Sequence, residues 1–101
     1  MNIRNGMRPV HPGEILREEM EELDLSARAM AEAINVPANR VSAILNGTRG
    51  ITADTALRLS RYLGTTPEVW INLQKSYELR SAEIEAGQEI ERQIKPRSKA
   101  A

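Results

Sequence analysis

Cysteine and phenylalanine are absent from this chain, and aromatic residues of any kind make up 3% of it. Without cysteine there is no disulfide framework and no thiolate metal site, which fits a reducing compartment. No apolar run approaches the ~20 residues that a spanning helix needs, so no membrane partner is expected. The opening MNIRNGMRPVHPGE holds no hydrophobic block of signal-peptide type, and a cytoplasmic protein is expected. Strand-like alternation of β-branched residues is also lacking. The single histidine, His11, stands without a nucleophile or carboxylate constellation around it and reads as a helix-start residue. The cluster Glu18, Glu19, Glu21 and Glu22 has no histidine beside it and no apolar shielding, so it reads as an exposed helix face rather than a metal or acid–base site. No G-x-S-x-G, H-E-x-x-H, P-loop or G-x-G-x-x-G occurs. Enzymatic activity, a metal, a cofactor and a small-molecule substrate are therefore not expected.

What is present suits one small all-α domain. The chain has 101 residues, 41% of them apolar, enough for a modest core whose stability oligomerisation would improve. Formal net charge is zero, but the charge is unevenly distributed. Residues 1–25 hold six acids against three bases, whereas residues 26–61 hold Arg28, Arg40, Arg49, Arg58 and Arg61 against Glu32 and Asp54. A basic middle beside an acidic first helix is an electrostatic footprint suited to nucleic acid.

Helix punctuation divides the chain. Pro12 and Glu14 suit a first turn, followed by Ile15, Leu16, Met20 and Leu23 as an apolar stripe. Ser26 can cap a second helix carrying Met30, Ala31 and Ile34. Asn35-Val36-Pro37 breaks the pattern, and a third helix carries Val41, Ile44 and Leu45 before Asn46-Gly47 ends it. Thr52 can cap a fourth, with Ala56, Leu57, Leu59 and Leu63 expected inside and Gly64 at its end. Thr66-Pro67-Glu68 opens a fifth with Val69, Trp70, Leu73 and Tyr77. The expected organisation is an N-terminal arm over 1–10, a helical domain over 11–80, and a frayed helix or disordered tail over 81–101.

The second and third helices, joined by a tight turn, have the helix-turn-helix outline. Advancing about 100° per residue, Val41, Ile44 and Leu45 fall together on one side of the third helix. The opposite side holds Asn39, Ala43 and Asn46, with Arg40 and Ser42 at its edges. That face is small, polar and free of carboxylates. Small residues let a helix backbone approach the floor of a major groove, while an amide or guanidinium reaches base edges. Asn39 can pair with adenine, and Arg40 can reach guanine or a phosphate. The helix starts at Ser26 and Thr52 are natural anion sites, and Thr48 and Arg49 add a hydroxyl and a guanidinium between them.

These residues carry a family resemblance. SARAMAEAINVPANRVSAILNG resembles the helix-turn-helix of phage-repressor (Xre-like) type. HPGEIL together with ILNGTRGITADTALRLSRYLGTTPEVWINLQKSYEL resembles HigA-type, VapI-like antitoxins over about residues 11–79. The resemblance implies a five-helix phage-repressor-like fold, a homodimer, repression of its own operon through double-stranded operator DNA, and neutralisation of a HigB-like mRNA-cleaving toxin. By position it implies base reading by Ala38, Asn39 and Ala43, and backbone holding by Asn46, Thr48 and Arg49. Many relatives place Gln after the position of Ser26; here Ala27 stands there, and Arg28 is the expected replacement. With Arg40 added to the base readers, the expected phosphate-binding set is Ser26, Arg28, Ser42, Asn46, Thr48, Arg49 and Thr52. Two other readings stand beside this one: a free-standing transcriptional repressor, or a protein-binding inhibitor with a vestigial helix-turn-helix. The acidic first helix could dock a basic toxin.

Trp70, Leu73, Gln74 and Tyr77 form one stripe at i, i+3, i+4 and i+7. Such a stripe either closes the domain's own core or lies between subunits, where aromatics are enriched. A dimer interface at these four residues is the expectation, because one half-site contact alone binds weakly.

Overall fold

The computed structural model describes residues 8–98. Residues 1–7 of the expected arm and 99–101 of the expected tail lie outside the described residues. The architecture is all-α, with five helices in the order α1 (Pro12–Leu23), α2 (Ala27–Ile34), α3 (Ala38–Leu45), α4 (Ala53–Leu63) and α5 (Pro67–Gln93).

Local chemistry accounts for most of the boundaries. Ser26 Oγ accepts from Ala29 N at 3.1 Å, Thr52 Oγ1 from Thr55 N at 3.3 Å and Thr66 Oγ1 from Val69 N at 3.3 Å, each satisfying an amide the helix leaves free. His11 caps α1 through Nδ1, which accepts from Gly13 N at 2.9 Å, and the imidazole meets Tyr77 edge-on with ring centroids 4.8 Å apart. Asp24 and Asn35 end α1 and α2 in the left-handed region at φ 58° and 60°, which Asn and Asp tolerate better than other side chains.

The core gathers Leu16 and Met20 of α1, Met30, Ala31 and Ile34 of α2, Val41 and Ile44 of α3, Ala56 and Leu59 of α4, Ile51 from the loop before α4, and Trp70 of α5. α2 packs chiefly on α3, α4 on α5, and α1 on α3 and α5. At the crossing of α1 and α3 the backbones touch. A Cβ on Gly13 would lie 2.0 Å from the Ile44 carbonyl oxygen, so the position admits no side chain.

Two expectations need correction. Leu57, expected inside, is 60% exposed. It lies about a quarter-turn around α4 from Ala56, while Ala56, Leu59 and Ser60 make the buried side. The helical signal, expected to fade from Ser81, instead continues unbroken to Gln93. Beyond Tyr77 the core no longer supports α5. Its own side chains do, with Lys75–Glu78 at 3.2 Å, Arg80–Glu83 at 3.4 Å and Arg92–Glu89 all spaced i, i+3, and Gln93 bonded to Glu89. Such pairs stabilise a helix without an apolar stripe, so hydrophobic periodicity understated its length. Ile94 leaves the helix with extended backbone, two residues before Pro96, which cannot continue one. Among the described residues no helix is long and apolar enough to cross a membrane.

Candidate nucleic-acid interface

The turn between α2 and α3 is built from the left-handed Asn35 and from Val36, whose N–H returns to Ala31 O at 3.0 Å. Pro37 then starts α3 without a side-chain cap. Val41 and Ile44 are buried on one side of α3, and this pins the helix so that Ala38, Asn39 and Asn46 are exposed and Ala43 and Ser42 half-buried. The face holds no carboxylate. Gly47 at φ 80° reverses the chain, and Thr48 folds back, its N–H and Oγ1 both donating to Ala43 O at 3.0 and 3.2 Å. The loop is therefore a fixed extension of α3. Arg49 is exposed on it and makes no ion pair among the described residues. Arg28 is likewise exposed in the first turn of α2.

Gln74 anchors the far end of the same loop. Its Oε1 accepts from the buried Ile51 N–H at 2.7 Å, and its amide lies across Gly50, where a Cβ would stand 2.7 Å from Nε2. Its Nε2 donates to Glu78 at 2.9 Å. This bond set carries α5 to the segment between Arg49 and Thr52. It also bears on two of the four residues expected at a dimer interface. Gln74 is 7% and Trp70 1% exposed within the single chain, with Trp70 Nε1 donating to Thr65 Oγ1 at 3.0 Å; neither has surface left for a partner. Leu73 packs against the core and Tyr77 against His11, and both remain half-buried.

Arg40 is placed differently from the expectation of an open base reader. Its Nη1 donates to Asp54 Oδ2 at 3.0 Å, and its Nε is buried without a partner. The same Oδ2 accepts from Arg58 Nε at 2.8 Å, and Arg58 Nη1 donates to Ile34 O and Asn35 O, each at 3.1 Å. A polar chain thus runs from the helix-turn-helix turn through α4 to α3. Hydrogen bonding from Arg58 is the main reason that the Asp54 carboxyl is held below the usual carboxylate range, with Arg40 adding less. The sequence reading missed Asp54 and Arg58 as site residues. Their i, i+4 opposite charges on α4 were a visible signal, but the reach to Arg40 was not. Among the described residues no group of three or more His, Asp or Glu side chains is arranged to hold a metal ion.

A helix-turn-helix family model matches residues 16–70. The chain is 51% identical over 81 residues to virulence-associated protein I of Dichelobacter nodosus, covering 79% of this chain and 75% of that protein. Among solved structures it is similar to an addiction-module antidote protein of the HigA family from Coxiella burnetii, with a TM-score of 0.88, 55% identity, and coverage of 89% of this chain and 99% of that one. Antitoxin HigA of Pseudomonas aeruginosa, solved with the higBA promoter, superposes with a TM-score of 0.88 at 47% identity, over 90% of this chain and 100% of that one.

Proposed function

Because the chain belongs to the HigA-type antitoxins of the helix-turn-helix family, a family of DNA-binding regulators and not of enzymes, we propose that it is a dimeric autorepressor. On this reading it binds the operator of its own toxin–antitoxin operon and neutralises a HigB-like mRNA-cleaving toxin. The observation that carries the DNA side is the carboxylate-free face of α3, held outward by the burial of Val41 and Ile44 and continued by the folded-back loop with Thr48 and Arg49. Asn39, exposed at the start of that helix, is the base reader with bidentate capacity toward adenine. Ala38 and Ala43 let the backbone approach and meet thymine methyls. Arg49 and Arg28 supply charge to phosphates; the hydroxyls of Ser26, Ser42 and Thr52, the Asn46 amide and the amides opening α2 and α4 supply donors. Solved relatives bound to operator or promoter DNA support the same use of this fold.

Dimerisation is part of this reading because a two-fold dimer reads two half-sites roughly 34 Å apart, whereas one half-site contact binds weakly. With Trp70 and Gln74 enclosed by their own chain, the pairing surface on this reading uses side chains still open on α5, where Leu79 and Ile90 fall on one side of the helix and are 64% and 48% exposed. The test is fluorescence anisotropy over a salt series, with a duplex from the gene's own promoter beside a scrambled duplex of equal length. A preference of about 10³ or more for the promoter is expected of a specific repressor. Equal, weak, salt-sensitive binding to both would overturn it and favour an inhibitor acting only on a partner protein. For the toxin side, the adjacent gene's product should arrest growth alone and not when this chain is co-expressed.

A further inference from the structure

Among the described residues, Arg40 is the cation at the edge of the reading face that is already engaged. It is 24% exposed, its Nη1 bonds to Asp54 at 3.0 Å, and its Nε–H is shut away from water with no acceptor. A buried donor without a partner is an unfavourable arrangement, so this resting position leaves Arg40 a reason to move. The carboxylate that holds it does not depend on it. Asp54 shares the same Oδ2 with Arg58 at 2.8 Å, and Arg58 is fixed by the Ile34 and Asn35 carbonyls. Departure of Arg40 therefore leaves Asp54 still neutralised, and departure of Arg58 would strand two carbonyls. Of the two arginines, Arg40 is the one free to exchange.

We propose that Asp54 is a latch that withholds the Arg40 guanidinium from DNA until α3 is seated in its operator, when Arg40 exchanges its carboxylate oxygen for an acceptor on the DNA. This rests on the reading of α3 as the DNA-recognition helix. Asp54 is then a positioning residue for specificity. In loose complexes with arbitrary sequence Arg40 stays on Asp54 and contributes no phosphate contact. In the operator complex it is released and adds one. The latch weakens binding to arbitrary duplexes more than to the operator, which raises discrimination between them.

The test compares the full chain with Asp54→Asn, Arg40→Gln and the double variant, on promoter and scrambled duplexes across a salt series. Asp54→Asn is expected to steepen the salt dependence on the scrambled duplex by about 0.9 in log–log slope, which is about 3.5-fold in affinity over a fourfold change in salt. The slope on the promoter should stay the same. In the Arg40→Gln background the scrambled-duplex gain should vanish. A gain that persists without Arg40 would show plain removal of negative charge and overturn the latch. So would an equal steepening on both duplexes, or none. Equal binding of both duplexes by the unaltered chain would instead overturn the DNA reading, and the latch with it. A second measurement does not depend on the fold of any Asp54 variant. The Arg40 Nε–H resonance of the unaltered chain, assigned by its loss in Arg40→Gln, should shift on adding promoter duplex and stay in place on adding scrambled duplex. An unmoved Arg40 signal in the specific complex would make the contact a permanent brace and refute the exchange.

Discussion

Replacing Gln74 by Met tests whether the helix stripe of α5 serves the chain's interior or a subunit contact. Methionine keeps the unbranched shape that lies across Gly50 but removes the Oε1 that accepts from Ile51 N at 2.7 Å. Gln74 is 7% exposed and Ile51 3%, so water does not readily replace the lost acceptor. A buried amide left without its partner costs about 1–3 kcal/mol. The second bond, Nε2 to Glu78 at 2.9 Å, reaches an exposed carboxylate and adds little. For a domain of this size about 1 kcal/mol corresponds to roughly 4–8 °C in Tm, so the midpoint should fall by about 4–24 °C. The assay is thermal and urea unfolding followed by circular dichroism, with sedimentation equilibrium to record the molecular mass. The expected result is lower stability with the mass unchanged. A variant of unaltered stability, or one whose subunits separate while the fold stays as stable as before, would refute the assignment of Gln74 to the loop and return it to an interface.

The two kinds of DNA contact should separate by mutation. Asn39→Ala should lose about 1–3 kcal/mol of preference at a single base pair, read by competition among duplexes substituted one position at a time, whereas Arg49→Gln should weaken all duplexes alike and reduce the salt slope by about 0.9. An Asn39→Ala variant with unchanged preference would mean that another face reads the bases. Gly13→Ala should destabilise the fold by about 1–3 kcal/mol or more in urea unfolding, because its Cβ would fall 2.0 Å from a backbone oxygen that cannot swing aside as a side-chain end could. Acid should weaken the fold through carboxylates that include Glu14 and Asp54. Hydrogen bonds from Arg8 to Glu14 and from Arg58 to Asp54 are the leading causes that hold both below their ordinary range. Their contribution is thus present above the unfolded pKa and is lost as pH falls through the lower folded values. The Tm should drop on acidification through and below the ordinary carboxylate range, and less steeply in Glu14→Gln; equal slopes would remove Glu14 from the account.

Sequence alone determined the parts that depend on near neighbours. Ser26, Thr52 and Thr66 were legible as caps because a cap needs only an amide three residues on, and Gly64 as a stop because it needs only its own φ. The polar face of α3 could be read because a helix fixes side-chain direction over a few residues once Val41 and Ile44 are known to turn inward. What joins distant segments was decided only by the tertiary structure. Trp70 and Gln74 fit a surface stripe as well as a core stripe until the fold placed Ile51 and Thr65 against them. Arg40 looks like a free cation in sequence, and only the approach of α4, fourteen positions on, supplies the Asp54 carboxylate that holds it. His11 looked like an ordinary helix start, yet it meets Tyr77, and Gly13 two positions on meets the Ile44 carbonyl. The reason is the same throughout: spacing along a chain specifies which face a residue occupies, and only packing specifies what that face meets.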